Sequence, residues 1–382
     1  MRSKWLLVII GLVLVLGLAL PACKGAPKAT PTPAPAPAPA PSPSPAPAPK
    51  PSPSPAPAPP PPEAIEWHVS MWGSLGARVW PIQWWKEEME KRTEGRLKVV
   101  LHMGAELATP KEELDGIKAG LFDMAHYCPL YAPAKDPLGM AFSLPCIIPL
   151  EVKEIAQLEL AYMEHPAAKK LMEERWNAVY VGLSHSRPNY TFLGTKPIRS
   201  VEDLKGQRIR IGGKTGELFA QFGAAPSMMP APEVFEALSR GVLDQAYFAP
   251  ASHYSYKIHE VSKYYTYNVG AGCGMLWAIV ANKDSWDALP EDIKEIHWKL
   301  SKELMLERLP KEMSTYIEGT IYPEWKAAGI EFIEFPPEER AKLVEAAKPM
   351  WDAWAEELEA KGLPGKEILD YLLKEKAKIV GK

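Results

Sequence analysis

An α/β fold in two domains is what this sequence predicts, and three observations carry the prediction. From Ile65 onward, short apolar runs of strand length alternate with runs whose apolar residues recur at helical spacing, the pattern of strands joined by crossover helices. Roughly 320 residues follow Glu63, more than one hydrophobic core usually supports. The composition, 47% apolar and 24% charged, is that of a globular chain once its 41 prolines are set aside, and 19 of those fall between Pro27 and Pro62.

In order, the body reads as a strand over 66–71, a helix over 77–92, a strand over 96–101, a helix over 111–119 and a strand over 122–127. A second run has strands at 179–184 and 207–211, a helix at 216–222, a helix after Pro232 and an apolar stretch from Leu243 to Phe248. A strand at 275–281 follows Cys273. Apolar residues at helical spacing then fill 290–326. Pro310 and Pro323 are expected to break that helix, because proline lacks an amide donor and crowds the preceding turn. Two helices rich in Glu and Lys, 337–360 and 365–379, complete the body, and no repeat at a fixed period is visible.

Ahead of the body, Arg2 and Lys4 precede an uninterrupted apolar run from Leu6 to Leu20, followed by Pro21, Ala22 and Cys23. That run is shorter than the roughly 20 residues a bilayer span needs and suits a signal-peptide core. A small residue before Cys23, with Leu20 three positions ahead of it, resembles the bacterial lipobox. The resemblance implies a signal peptide at 1–22 and a mature chain that begins with an acylated Cys23. An uncleaved anchor and a plain secretory signal are the other readings, and all three put the body outside the cytoplasm. From Pro31 to Pro59 proline alternates with Ala or Ser, a composition that neither forms a core nor pairs as strands. Residues 23–62 are therefore expected to be a lipidated, extended linker, its Pro-rich part reaching on the order of 110 Å at about 3.1 Å per residue.

The first 62 residues hold five Lys or Arg and no acidic residue, which leaves 39 basic against 47 acidic residues in the body. A body at about −8 without a basic face makes nucleic acid an unsuitable partner, since phosphate binding needs clustered Lys and Arg. After Cys23 come Cys128, Cys146 and Cys273, an odd number, so at least one thiol stays unpaired; Cys128 with Cys146 is a candidate bridge.

Catalytic signals fail on spacing. Gly213-Lys214-Thr215 resembles the end of a phosphate loop, but Arg208 stands where its first glycine belongs. The stretch from Gly182 to Ser186 lacks the last glycine of a nucleophile elbow. His126 and Cys128, two apart on an expected strand, have no neighbouring ligand pair, so no metal or other cofactor is expected.

One segment points to binding. Ser200 with Asp203 reads as a capping box for a short helix that Gly206 ends. In Gln207-Arg-Ile-Arg-Ile211, period-2 alternation places both arginines on one face. Gly212 and Gly213 then permit a turn, with Thr215 expected to cap the next helix. A strand's carboxyl end, a glycine turn and a helix N-terminus are where α/β folds bind ligands, and helix N-termini favour anions. An arginine aimed there grips a carboxylate bidentately. On local logic alone, both arginines could equally be surface strand residues.

The run from Ser200 to Ile211 resembles the solute-binding proteins of TRAP transporters, the DctP family. So do Phe222-Gly-Ala-Ala-Pro226 and the run from Glu233 to Asp244. Upstream segments 88–99 and 112–124 and Leu144-Pro145, and downstream Ala281-Asn-Lys-Asp-Ser-Trp286 with Leu289-Pro290, are similar to it as well. The resemblance implies a two-lobed, periplasmic-binding-protein-like α/β fold with inter-domain crossovers and a long helix spanning both lobes. Lobe I would hold 63–187 plus 276–315, and lobe II 188–275 plus 316–382. It also implies a protein that catalyses nothing, closes on a small organic acid in the interlobe cleft and delivers it to the small and large membrane subunits of a permease; a ligand sensor that presents its closed form to a membrane receptor is the alternative reading.

By that resemblance Arg210 matches the carboxylate-binding arginine. Tyr190 stands where many relatives carry a second arginine, with Arg187 displaced by three residues. Gln245 replaces the usual glycine after Asp244, and Phe248 stands where sialic-acid binders use Asn. Trp72 replaces a polar residue and Cys128 an acid. The expected pocket has one anion grip and apolar or aromatic walls, with Tyr190 and Tyr127 adding hydrogen bonds. It favours a hydrophobic or aromatic monocarboxylate over a sugar acid or a short dicarboxylate.

Overall fold

A computed structural model describes residues 64–72, 80–184, 188–272 and 275–381. The apolar N-terminal run, Cys23, the Pro-rich linker, Arg187 and Cys273 lie outside the described residues. Among those described, no helix is long and apolar enough to cross a membrane.

Eleven strands among the described residues form two sheets. The first, in the order β2-β1-β3-β10-β4, is built from β1 (Ile65–Ser70), β2 (Leu97–His102), β3 (Met124–His126), β4 (Ala178–Ser184) and β10 (Ala278–Asn282). The second, in the order β11-β9-β5-β8-β6-β7, is built from β5 (Thr191–Gly194), β6 (Arg208–Arg210), β7 (Ala225–Ser227), β8 (Gln245–Phe248), β9 (Tyr264–Tyr267) and β11 (Glu331–Glu334). Strands joined by crossover helices, as the sequence reads, would pair mostly parallel; both sheets are mixed. In the first, β10 runs antiparallel to β3 and β4; in the second, β5 runs antiparallel to β8 and β9. The reason is connectivity. β5 and β10 are the two strands entered directly from the other sheet, without the helix that returns a chain to the end it started from.

Helices cover the sheets: α1 (Trp80–Arg92), α2 (Glu113–Lys118), α3 (Val152–Glu164), α4 (Pro166–Trp176), α5 (Gly213–Gln221), α6 (Val234–Ser239), α7 (Pro250–Ser255) and α8 (Lys283–Asp287). Trp67, Val69 and Met71 alternate into a core shared with Ile82, Trp85 and Met89 of α1. Pro310 and Pro323 do not break the helix that follows. It runs through α9 (Glu291–Glu303), a π-turn at Leu304–Arg308, α10 (Leu309–Tyr316), a second π-turn at Ile317–Ile321 and α11 (Tyr322–Ala327). Each proline is the second residue after a π-turn, where the wider spiral moves the preceding carbonyls clear of its ring. The last helices, α12 (Pro337–Ala360) and α13 (Gly365–Val380), close over Pro145 and Cys146, with Trp351 Nε1 donating to the Pro145 carbonyl and Lys376 Nζ to that of Cys146, both at 2.7 Å.

The two sheets share a unit that the sequence reading did not notice. Residues 112–129 and 233–250 keep Glu112/Glu233, Gly120/Gly241, Asp123/Asp244, Ala125/Ala246 and Pro129/Pro250 in register. Each copy is a short helix, a glycine at φ +66° that ends it, and a strand. In each, the aspartate reaches back to the neighbouring parallel strand: Asp123 Oδ2 accepts from the His68 amide at 2.8 Å, and Asp244 Oδ2 from the Arg208 amide at 2.9 Å. The registers agree as well, Ser70 opposite Ala125 and Arg210 opposite Ala246.

In the second copy the latch is reinforced. Arg208 donates Nε to Oδ2 and Nη2 to Oδ1 of Asp244, each at 2.9 Å, and Lys196 Nζ lies 3.0 Å from Oδ1. These bonds, that from Arg208 foremost, hold the Asp244 carboxyl well below the usual carboxylate range. Asp244→Ala is expected to cost about 2 kcal/mol in urea unfolding at pH 7, as a buried charged acceptor is removed. A depressed folded pKa means the contribution is full above about pH 4 and lost as pH falls toward the folded value, so the gap between wild type and variant should narrow in acid.

Candidate functional site

The carboxyl ends of the parallel strands carry two clusters. In the second sheet, Arg210 ends β6 and Phe248 ends β8. Arg210 is 9% exposed; its guanidinium carbon lies 4.1 Å from the Phe248 ring centroid, and its Nε donates to the Met229 carbonyl at 3.1 Å. The cation therefore has a fixed plane, stacked on an aromatic face and pinned along one edge. Tyr190, in the crossover just before β5, packs against Tyr247 and Phe248 with centroids 5.8 and 6.3 Å apart. Behind Phe248 lies His253, whose Nε2 meets the Thr191 carbonyl at 3.0 Å; burial pulls its pKa down to about 3, so it is neutral. Arg210, Phe248 and Tyr190, each singled out from sequence, are thus brought together.

Arg208 is not part of that group. It is the more exposed of the two arginines and is committed to Asp244, so the pair expected on one face divides into a strand latch and a buried cation. Just beyond Arg210, Gly212 is the residue before α5 and Gly213 starts it at φ +63°. Thr215, expected as the cap, is instead buried in the first turn, and no side chain caps this helix. The Ser200–Asp203 box is half made: Asp203 Oδ2 accepts the Ser200 amide at 3.0 Å, while the short 3₁₀ turn Glu202–Leu204 receives no side-chain cap.

In the first sheet, Trp72 lies two residues past β1. It stacks on His126 at 5.2 Å with planes 8° apart, meets Tyr131 edge-on at 5.2 Å, and lies 5.4 Å from Trp277. Trp277 stands in the other crossover, just before β10. The sequence reading named Trp72 but missed Tyr131 and Trp277; the signal available for Trp277 was its place near the start of the run read as a strand after Cys273.

Two expected contacts are corrected. Tyr127 turns away from this cluster into the core. Its hydroxyl donates to Asp136 and lies 3.0 Å from that of Tyr180, and burial raises the pKa of all three groups. Cys128 and Cys146 do not form the candidate bridge. Both are buried, and burial pushes the Cys146 thiol up to about 12. Cys128 stands 1% exposed at the head of the 3₁₀ turn Pro129–Tyr131. Arg187 lies outside the described residues.

Comparing the copies isolates what is special about Arg210. Its counterpart in the first sheet is Ser70, fully buried beside Ala125. Near Ser70, burial raises the pKa of Glu113 to about 8, which leaves an uncharged carboxylic acid at neutral pH. One carboxyl edge thus carries a cation and the other a hydroxyl, a neutral acid and aromatic rings.

Two mixed sheets joined by two direct strand crossovers and by the long helix between β10 and β11, with a buried cation and aromatic faces at their carboxyl edges, define a ligand-binding protein without catalytic machinery among the described residues. A family model described as DctP, bacterial extracellular solute-binding protein, family 7, matches residues 81–357, and the chain belongs to that family. It is a solute-binding protein of the TRAP transporter type, not an enzyme. The C4-dicarboxylate-binding periplasmic protein DctP of Rhodobacter capsulatus is 27% identical over 298 residues, covering 72% of this chain and 81% of its own. The same fold recurs in a TRAP periplasmic solute-binding protein from Desulfovibrio salexigens, an open complex, with a TM-score of 0.74 at 23% identity over 83% of this chain and 97% of that one. A TRAP solute-binding protein from Rhodoferax ferrireducens in complex with copurified benzoate gives 0.61 at 21% identity over 83% and 99%.

Since the Tyr127 hydroxyl is used inside the core, Tyr127→Phe should lose about 1–2 kcal/mol of unfolding free energy, the value of a buried hydrogen bond to a charged or strongly polar acceptor. Ligand affinity, measured calorimetrically on the folded variant, should stay unchanged.

Proposed function

We propose that this chain captures an organic monocarboxylate with a hydrophobic or aromatic body in the cleft between two lobes, 63–187 plus 276–315 and 188–275 plus 316–382. It then hands the acid to the membrane subunits of a TRAP permease. The protein works outside the cytoplasm, held to the membrane by a lipid on Cys23 and spaced from it by the linker at 23–62. The observation that carries the ligand class is the asymmetry of the two strand ends. Arg210 offers a buried, oriented guanidinium, and its counterpart Ser70 offers no second cation for a second carboxylate. The Trp72, Trp277 and Tyr131 rings supply a face that a flat apolar body fills well. The benzoate found with the Rhodoferax ferrireducens protein is a molecule of this chemistry. The C4-dicarboxylate-binding relative supports the competing reading, a short diacid. Closure follows if the ligand touches both edges, because it then binds the closed form better than the open one.

Calorimetric titration with benzoate and with succinate separates the two. Benzoate should bind and succinate should bind at least tenfold more weakly. Arg210→Ala should lose roughly 2–5 kcal/mol, which is about 30-fold to several thousand-fold in affinity. Unchanged carboxylate binding in Arg210→Ala would remove Arg210 from the site, and tighter succinate binding would replace the ligand class.

A further inference from the structure

The outer edge of the first sheet holds a pair of histidines that ligand capture does not use. His102 is the last residue of the edge strand β2, and His68 lies diagonally across from it in β1, where Ser70 is the register partner of His102. His68 Nδ1 and His102 Nε2 are 2.9 Å apart, with ring centroids at 5.2 Å and planes inclined by 32°. The outward nitrogen of each ring faces a carboxylate: His102 Nδ1 lies 3.0 Å from Glu106 Oε1, and His68 Nε2 lies 3.6 Å from Glu66 Oε1. The side chains of His68 and His102 are 44% and 17% exposed, so the pair is open to solvent on one side.

We infer that this pair is a binding site for a divalent transition-metal ion of the nickel or copper type. Imidazole nitrogen is a preferred ligand for such ions. The spacing selects among them. With metal–nitrogen bonds of about 2.05 Å, two nitrogens 2.9 Å apart subtend roughly 90°, whereas a tetrahedral ion would hold them about 3.3 Å apart. A right angle is the relation of neighbouring positions in square-planar or tetragonal nickel and copper sites. Glu106 at hydrogen-bond distance from the far nitrogen of His102 is the arrangement found behind metal-bound imidazoles, and Glu66 stands 3.6 Å from the far nitrogen of His68. They also place two negative charges near a doubly charged ion. Among the described residues no three His, Cys, Asp or Glu side chains converge on one point, so the protein gives two ligands here and water completes the shell.

The test is a calorimetric titration of Ni(II) into the full chain in a non-chelating buffer at pH 7.5. One ion per chain should be attributable to this pair, so that His68→Ala and His102→Ala each weaken that binding at least tenfold. Glu106→Gln, which keeps both ligands and loses the charge behind one of them, should cause a smaller loss. Zn(II) should bind more weakly than Ni(II). Thermal melts without metal identify any variant that fails to fold, and in that event His102→Gln carries the same expectation. The inference is overturned if the wild type binds no Ni(II) up to millimolar concentration, or if neither folded histidine variant differs from it.

Discussion

A guanidinium held almost entirely out of water, with its plane set by an aromatic face, is the constraint on which the proposed ligand binding depends. Arg210 has surrendered most of its hydration, so in the proposed complex an incoming carboxylate meets a cation that little solvent screens. Phe248 beneath it and the Met229 carbonyl at Nε leave few orientations open, which lowers the entropy lost on binding. A lysine at this place would give charge without the planar fork.

The scaffold that holds this cation is a local device made twice. In both sheets an aspartate after a glycine-ended helix clasps the backbone of the adjacent parallel strand, which fixes where that strand ends. In the second sheet Arg208 and Lys196 close on the same carboxylate, so β6 is held two residues before Arg210. The first sheet uses the same geometry to present Ser70 and, beyond it, Trp72. One structural solution therefore serves two different surfaces, and the difference lies in single residues at matched positions.

Much of this was legible in the sequence because it is local. The alternation of Ile209 with its arginines, the glycines after them and the helical spacing from Leu343 to Leu358 are short-range patterns, and they placed β6, α5 and α12 within a few residues. What escaped depends on distant partners. Strands β5, β9 and β11 went unread because they are defined by pairing with one another. Tyr127 has the composition of a pocket residue, and only Asp136 and Tyr180, brought close by folding, turn it inward. The prolines of the long helix misled for a related reason: the rule against them assumes α geometry, and the chain inserts a π-turn before each. The repeated unit was hidden because its two copies agree at scattered positions, most clearly in a glycine and an aspartate whose roles are backbone ones.

A crystal structure of the protein with a bound aromatic monocarboxylate tests the account most directly. The account predicts the carboxylate on Arg210, both oxygens within about 2.7–3.0 Å of guanidinium nitrogens, and the ring of the acid against Trp72. An acid bound with its carboxylate on another cation, and Arg210 turned away from it, would contradict the account.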